Sequence, residues 1–383
     1  MAILKKALIM MVLVLLVGGV ALAQDTIKIG FFAPLTGPAA ADGASALNSA
    51  QLAIEYINEQ GGVLGKKLEL VVYDDGLKPS EAVAVARKLI EKDKVVGVVS
   101  GSYSGPTRAA APVFQEAKIP MVAAYAVHPE ITRAGEYIFR NGFLGEIEGA
   151  AAAEVVGKKL NAKTVYLLTV DIDYGRALSA GFRSRAEKIG LKIIGEKFFP
   201  MGEKDFTPYL TEIKAANPDA IFISGYYFHA PAVVQARNLG YTGYIVGEEG
   251  FDSPKFIEIA GKAAEGVVIV TNFDRDDPRP LVKWFINKYK EKYKIDPDMV
   301  GASSFDAVFI LVEGIKRAGS TEAAKIKDAI ASLKDFDVLT GKIKRFTKIG
   351  EVVKAVQVQI VKDGTFRHYG VIDDPEIIKP PEE

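Results

Sequence analysis

The residues best suited to chemistry form a polar loop at 101–105 (Gly-Ser-Tyr-Ser-Gly), which separates an apolar run from an amphipathic segment. The apolar run, Val95–Val99, predicts a short buried parallel strand, and residues 108–118 have helical spacing. Ser104 precedes Gly105-Pro106 and is predicted to be the helix N-cap. Such a turn directs backbone N–H groups, hydroxyls and the positive end of a helix at one point, which suits a carboxylate or another small anion. The alternative is a capped turn that binds nothing.

A second loop of the same form occurs later in the chain. An apolar run from Ile221 ends in Ser224-Gly225 and is followed by Tyr226. In open α/β sheets, ligands bind beyond the carboxyl ends of the parallel strands. The two loops are therefore predicted to face one cleft.

Residues that could carry catalysis or hold a metal ion are scattered. His128, His229 and His368 are far apart in the sequence and cysteine is absent, so we predict no metal site, no cofactor and no enzymatic activity. The centre of the loop at 101–105 is Tyr103 and not serine, so the loop lacks the nucleophile of a hydrolase elbow. The pair Asp74-Asp75 follows a strand, where aspartates commonly cap turns.

Length and charge define the broad class of the protein. The 383 residues are enough for two domains, each with its own core. Lys and Arg together number 48, as do Asp and Glu, and no segment concentrates basic and aromatic residues, so a nucleic-acid partner is not expected. Asn and Gln are sparse beside Lys and Glu, a bias of thermophile proteins that predicts a thermostable protein.

The N-terminus has the three parts of a secretory signal peptide. Lys5 and Lys6 precede an apolar run at 7–22, and residues 21–23 (Ala-Leu-Ala) form a small-residue cleavage site. We therefore predict that residues 1–23 are removed and that the mature protein is exported, soluble and periplasmic or extracytoplasmic. The alternative is an uncleaved membrane anchor, which the shortness of the apolar run disfavours.

From Thr26 onward, short apolar strands alternate with amphipathic helices. This alternation predicts an α/β fold with two doubly wound lobes and mainly parallel sheets. Near the end of the chain, residues 341–346 and 354–361 alternate like antiparallel strands. No low-complexity linker separates the halves, so we expect a hinge made of several short crossovers.

A set of short motifs extends over about residues 27–370. The motifs are Pro34–Pro38, Ile57–Gly62, Tyr73–Asp75, Ser102–Ser104, Pro129–Thr132, Asp173–Gly175, Gly202–Phe206 and Gly247–Gly250. Their order and spacing resemble those of the branched-chain amino-acid-binding proteins, which are periplasmic receptors of ABC importers with the type I periplasmic-binding fold. The resemblance implies two lobes joined by three crossovers around a cleft. The first lobe would comprise 24–144 plus 272–339, and the second 145–271 plus 340–383.

The resemblance also implies a set of ligand contacts. The implied residues are Ser102, Tyr103, Ser104, Tyr125, Val127, Tyr174, Tyr226, Glu249, Asp42 and Phe305. In the family, the serine-rich loop holds the α-carboxylate of the ligand, the acidic residue that aligns with Glu249 receives the α-ammonium, and aromatic residues of the far lobe close over the ligand.

Three positions depart from the family pattern or qualify it. Val127 stands where relatives have a Ser or Thr hydroxyl beside the carbonyl at Tyr125, so another donor must replace that hydroxyl or the acid is held differently. Asp42 stands where many relatives have an aromatic residue, and it either points to solvent or faces the cleft, where it would select a ligand with an extra positive or amide group. Phe305 is the aromatic residue expected from a late helix.

The resemblance favours an extracytoplasmic substrate-binding protein that delivers a small amino acid with an aliphatic or aromatic side chain to an ABC permease. A receptor or sensor for a short amide, a urea-like compound or an aromatic acid is the alternative. An exported hydrolase is a third possibility, but it would need a nucleophile and a base that the sequence does not offer.

Overall fold

The computed structural model describes residues 26–383. The predicted signal peptide at 1–23 lies outside the described residues and stays a prediction. Within 26–383, no helix is both long enough and apolar enough to cross a membrane.

Strands and helices alternate through the first 115 or so described residues. In chain order these elements are β1 (Ile27–Ala33), α1 (Ala40–Glu59), β2 (Leu68–Asp74), α2 (Pro79–Arg87), β3 (Gly97–Ser100), α3 (Ser104–Glu116), β4 (Met121–Ala123) and β5 (Ile138–Arg140). The five strands form one fully parallel sheet in the order β2-β1-β3-β4-β5.

The middle of the chain repeats the alternation, and the last part adds four helices and a group of strands. The middle elements are α4 (Gly145–Glu154), β6 (Thr164–Val170), α5 (Asp173–Ile189), β7 (Lys192–Phe199), α6 (Thr207–Ala216), β8 (Ala220–Ser224), α7 (Pro231–Asn238), β9 (Tyr244–Gly247), α8 (Pro254–Ala260) and β10 (Val268–Thr271). The last elements are α9 (Pro280–Tyr293), α10 (Met299–Ala318), α11 (Ala323–Ala331), β11 (Lys334–Val338), β12 (Gly341–Phe346), β13 (Val352–Val353), β14 (Val356–Lys362), β15 (Thr365–Ile372) and α12 (Pro375–Ile378).

The second sheet is mixed and has seven strands in the order β15-β14-β10-β9-β8-β6-β7. The five strands β6, β7, β8, β9 and β10 are parallel to one another. Strands β14 and β15 pair antiparallel at one edge of the sheet. A small antiparallel sheet contains β11, β12 and β13. The prediction of an α/β fold with two lobes and mainly parallel sheets is therefore confirmed, as is the antiparallel pattern near the end of the chain.

The chain crosses between the two large sheets three times: after β5, after β10 and between β13 and β14. After the second crossing, α10 packs against α1, β3 and β4. We call the five-stranded sheet with its helices and α9–α11 the first lobe, and the seven-stranded sheet with its helices the second lobe. The residue boundaries given above for the two lobes stay a prediction.

The strand that leads to the polar loop differs slightly from its prediction. It begins at Gly97 and not at Val95, and it ends at Ser100. Val95 does not join the strand because its N–H donates to the carbonyl of Leu89, 3.2 Å away, at the end of the preceding helical segment. The strand still ends beside the loop at 101–105, as predicted.

Candidate functional site

A cavity lies between the lobes, at the carboxyl ends of the parallel strands. The first lobe contributes the loops after β3 and β4 and the starts of α1 and α10. The second lobe contributes the start of α5 and the loops after β8 and β9. The lining residues are Asp42, Tyr103, Ser104, Tyr125, Ala126, Val127, Tyr174, Tyr226, Glu249, Gly250, Asp252, Ser253, Met299 and Val300.

The polar loop after β3 supplies two of its three predicted contacts. Tyr103 and Ser104 line the cavity, whereas Ser102 is fully buried behind it and its carbonyl accepts a hydrogen bond from the Thr107 hydroxyl at 3.2 Å. The turn depends on Gly101, because a Cβ there would lie 2.6 Å from the ring of Phe31. The structure therefore does not bring Ser102 to the cavity wall.

Ser104 is not the N-cap that the sequence suggests. The helix begins at Ser104 itself, the cap position is Tyr103, and no side chain caps this end. The Ser104 hydroxyl instead accepts a hydrogen bond from the main-chain N–H of Val127 at 3.2 Å. Because a hydroxyl can accept and donate at the same time, its proton stays available to an acceptor in the cavity.

Val127 and Tyr125 lie on the loop after β4, and both line the cavity. The phenol of Tyr125 donates to the carbonyl of Gly101 at 2.8 Å, which ties this loop to the one after β3. The guanidinium of the buried Arg140 fixes the same loop, because it donates hydrogen bonds to the carbonyls of Ala126 and His128. The sequence analysis did not identify Arg140, because it lies on β5 and no sequence motif connects it with the loop after β4.

Four tyrosines form the aromatic part of the wall. Tyr103 of the first lobe stacks on Tyr226 of the second with ring centroids 4.7 Å apart, and Tyr174 stacks on the other side of Tyr226 at 5.0 Å. Tyr125 meets Tyr103 edge to face at 6.2 Å. Burial raises the pKa of all four phenols well above the ordinary value, so they are neutral donors and acceptors at physiological pH.

Glu249 follows β9 and is buried in the wall of the second lobe. Its carboxylate accepts a hydrogen bond from the Asn272 amide at 2.9 Å, and its main-chain N–H donates to Glu148 at 2.8 Å. Burial, reinforced by the neighbouring Glu248, raises the pKa of Glu249 well above its ordinary value. A cation that enters the cavity would stabilise the ionised form of this carboxyl, because the attraction between the two charges offsets the cost of ionising a buried acid.

Glu248 is a second buried carboxyl that sequence reasoning did not single out. It accepts hydrogen bonds from the Tyr174 phenol and from the N–H groups of Gly225 and Gly250, both at 2.7 Å. It therefore fixes one of the stacked tyrosines and the loop after β8. Burial raises its pKa to about 7.

Asp42 faces the cavity and not solvent. It lies in the first turn of α1, is 5% exposed, and accepts a hydrogen bond from the Tyr103 phenol through Oδ2 at 2.6 Å. The helix start can approach the exit loop of β1 because residue 43 is glycine: a Cβ there would lie 2.1 Å from the carbonyl oxygen of Pro34. Burial, with the nearby Asp298, raises the pKa of Asp42 to about 7.

Phe305 does not line the cavity. Its ring packs in the core of the first lobe, with centroids 4.5 Å from Phe309 and 5.3 Å from Phe285. The cavity contacts of α10 come from its first turn, Met299 and Val300. At about 100° per residue, a position five residues beyond Val300 points to a different side of the helix, which explains the difference.

An ion pair spans the mouth of the cleft. Arg108 of α3 contacts Asp173 of α5 at 2.8 Å, and His128 lies 3.6 Å from the same carboxylate. Residues 26–383 contain no group of three or more His, Asp or Glu side chains arranged to hold a metal ion. The arrangement is thus that of a ligand cavity closed by two lobes.

Comparison with known proteins agrees with this geometry. Residues 26–365 match the family described as Periplasmic binding protein, and the chain belongs to that family. Within it, the chain is one of the branched-chain amino-acid-binding proteins. It is 31% identical over 326 residues to the leucine-, isoleucine-, valine-, threonine- and alanine-binding protein of Pseudomonas aeruginosa, which covers 84% of this chain and 86% of the relative.

Two solved structures are similar over nearly their whole length. A leucine-binding protein from Thermotoga maritima is 35% identical with a TM-score of 0.85, and the match covers 92% of this chain and 100% of that one. A branched-chain amino-acid substrate-binding protein from Streptococcus pneumoniae, in complex with isoleucine, is 31% identical with a TM-score of 0.84, covering 91% and 99%. All three relatives are described as amino-acid-binding or substrate-binding proteins, and the one from Streptococcus pneumoniae as part of a branched-chain amino-acid transporter.

Proposed function

We propose that this protein is the extracytoplasmic substrate-binding component of an ABC importer. It captures a small amino acid with an apolar side chain, aliphatic or aromatic, in the cleft between its lobes, where the side chain lies against the tyrosine rings, and delivers it to the permease. The observation that carries the proposal is the enclosed cavity in which a buried carboxyl, Glu249, faces a tyrosine wall supplied by both lobes. No catalytic role is proposed for any residue.

Each end of the amino acid has a partner of matching chemistry. Glu249 receives the α-ammonium, because a charged donor and a buried carboxylate form a strong hydrogen bond. Ser104 donates its hydroxyl proton to the α-carboxylate, and the N–H groups at the start of α3 add the favourable end of the helix dipole. Ser104 is the contact that the resemblance already implies for the carboxylate, so the hydroxyl that Val127 lacks has no substitute among these residues.

A thermal-shift screen of the twenty amino acids against the mature protein tests the proposal. One or a few of them are expected to raise the melting temperature strongly, since a ligand that binds only the folded state stabilises it in proportion to the logarithm of its concentration above Kd. Titration calorimetry of Glu249→Gln is expected to show a loss of about tenfold or more in affinity. Glu258→Gln, at an exposed acid of the same lobe, is the matched control.

A second candidate ligand is a small aromatic acid, which the four tyrosine rings and the missing hydroxyl at Val127 favour. The same screen therefore includes benzoate-type acids and short amides. Stabilisation by one of these and by no amino acid would replace the first ligand class with the second. An unchanged affinity in Glu249→Gln would remove Glu249 from its role.

A further inference from the structure

The buried charges of the protein are unbalanced, although the whole chain is neutral. In the described part of the chain, Arg140 and Lys354 are the buried Arg and Lys side chains, and the buried His229 is neutral because burial lowers its pKa to about 4. The buried acids are more numerous and comprise Asp42, Asp75, Glu148, Glu248, Glu249, Asp252, Asp298, Asp306 and Glu351. Burying an unpaired carboxylate is costly, so each needs a hydrogen-bonded cation, a proton or a ligand.

Protein cations account for part of this excess. Arg140 pairs with Glu351 at 2.9 Å, and Arg275 pairs with Asp252. Lys354 lies where it acts electrostatically on Asp306 and Glu249. These interactions leave the lining acid of the first lobe, Asp42, without a protein cation beside it.

Asp42 is also incompletely hydrogen-bonded. Among the described residues, its carboxyl accepts a hydrogen bond at Oδ2, from Tyr103, and Oδ1 has no protein donor. The charged groups that act on it most strongly are Asp298 and Asp252, which are acids as well. Asp42 thus presents a carboxyl oxygen without a protein hydrogen-bond donor in the wall of the cavity.

The rest of the wall favours a cation beside Asp42. The lining contains Asp42, Glu249 and Asp252 and no Lys, Arg or His. Tyr103 and Tyr125, the two aromatic lining residues of the first lobe, add ring surface to the wall, and one face of Tyr103 is covered by Tyr226. Glu249 and Asp42 belong to opposite lobes, so two separate acceptors face one enclosed space.

We propose that Asp42 is a specificity-determining residue, and that the ligand is a diamino acid whose side chain is an apolar stem ending in an amino group. The stem lies against the tyrosine rings, the terminal amino group binds Asp42, and the α-ammonium binds Glu249. This inference rests on the proposed function of an amino-acid-binding protein and replaces its wholly apolar side chain with an apolar stem that ends in an amino group.

The test compares ligands that differ only in the terminal group. Titration calorimetry at pH 7.5 and low salt measures ornithine against norvaline, and lysine against norleucine, with the mature protein. We expect the amino-bearing member of at least one pair to bind about tenfold more tightly or better, because a hydrogen bond between two charged groups is among the strongest that a ligand makes. In Asp42→Asn that preference is expected to fall to about twofold or less, while Asp296→Asn, at an exposed acid of the same lobe, keeps it.

The outcomes separate this inference from the proposed function. Norvaline and norleucine binding as tightly as their amino-bearing partners would overturn the diamino acid and leave the proposed function standing. A preference that persists in a folded Asp42→Asn would overturn the role of Asp42. If no amino acid of either kind binds, the proposed function fails and the inference fails with it. The wild-type comparison alone decides the ligand class, whether or not the variant folds.

Discussion

Tyr103 and Tyr226 stack face to face across the cleft, with ring centroids 4.7 Å apart and planes 4° apart. One ring belongs to the first lobe and the other to the second, so this contact exists only while the lobes are closed. Periplasmic binding proteins are known to close by a hinge motion around a ligand. Both tyrosines also line the ligand cavity, so the same contact stabilises the closed state and completes the cavity wall.

Removal of the Tyr226 ring is expected to weaken ligand binding. Tyr226→Ala deletes the stacking on Tyr103 and on Tyr174, and an aromatic pair contributes about 1 kcal/mol beyond the area it buries, or roughly fivefold in affinity. Titration calorimetry with the amino acid selected by the thermal-shift screen measures this loss. Tyr226→Phe keeps the ring and should retain most of the affinity. Equal affinity in Tyr226→Ala and the wild type would contradict a role for the stack.

The sequence predicted the parts of the site that depend on strand ends. Tyr103 and Tyr226 each follow a buried strand through a glycine, and the rule for open α/β sheets was enough to bring them to one cleft. Glu249 and Asp42 were predicted as ligand contacts from the family resemblance alone. The alignment of motifs gives the position of a residue in the chain but does not show what its side chain contacts. Which way Asp42 points was left open, since that depends on how closely α1 approaches the loop at Pro34.

Two of the implied contact residues lie away from the cavity wall, although each belongs to a correctly predicted element. Phe305 lies on the predicted helix, but its ring faces the core, because helix phase and not residue type decides which side chains reach the cavity. Ser102 belongs to the predicted loop but points behind it. Met299 and Arg140 could not be found from the sequence, because their positions depend on how distant segments pack.

The stability of the unliganded protein is expected to fall as the pH rises from 6.5 to 7.5. Burial raises the folded-state pKa of Asp42 and Glu248 to about 7, so the folded protein holds protons that the unfolded chain has already released. Each such proton lowers the free energy of unfolding by up to about 1.4 kcal/mol per pH unit.

Thermal melts in this window measure the effect, and Asp42→Asn should reduce the slope. His229, whose pKa is lowered to about 4, and His128, whose pKa is also lowered by burial, act in the opposite direction in the lower half of this window, because the unfolded histidines still bind protons there and the folded ones do not. The buried carboxyls are more numerous, so their effect decides the sign. The window avoids values above 8, where the lowered pKa of Lys354, about 8, makes stability rise with pH. A melting temperature that rises between pH 6.5 and 7.5 would contradict the prediction.

The ion pair at the mouth of the cleft is expected to favour the closed state weakly and in a salt-dependent way. Arg108 and Asp173 come from opposite lobes, and both side chains are substantially exposed. An exposed pair contributes about 0 to 1 kcal/mol, so Asp173→Asn should lower affinity by roughly fivefold at most, and high salt should remove the difference. Asp171→Asn is the matched control, because Asp171 pairs with Arg176 within one lobe. Identical salt dependence in the two variants would show that the pair does not act on closure.

Loss of Glu351 is expected to destabilise the protein strongly and to disturb the site indirectly. Arg140 and Glu351 form a buried ion pair at 2.9 Å, and Arg140 also holds the loop that carries Val127. Glu351→Ala leaves an uncompensated guanidinium, and breaking a buried pair in this way costs about 3 to 5 kcal/mol. Guanidinium chloride unfolding measures this loss, with the exposed Glu382→Ala as a control expected to cost less than about 1 kcal/mol.

Calorimetry on the same Glu351→Ala variant separates a structural effect from a local one. If Arg140 positions the loop, ligand affinity should fall even where the variant remains fully folded, because the carbonyls of Ala126 and His128 lose a fixed donor. The N–H of Val127 would then no longer hold the Ser104 hydroxyl in place for the ligand's carboxylate. A folded variant with lower stability and unchanged affinity would restrict Arg140 to a role in stability alone.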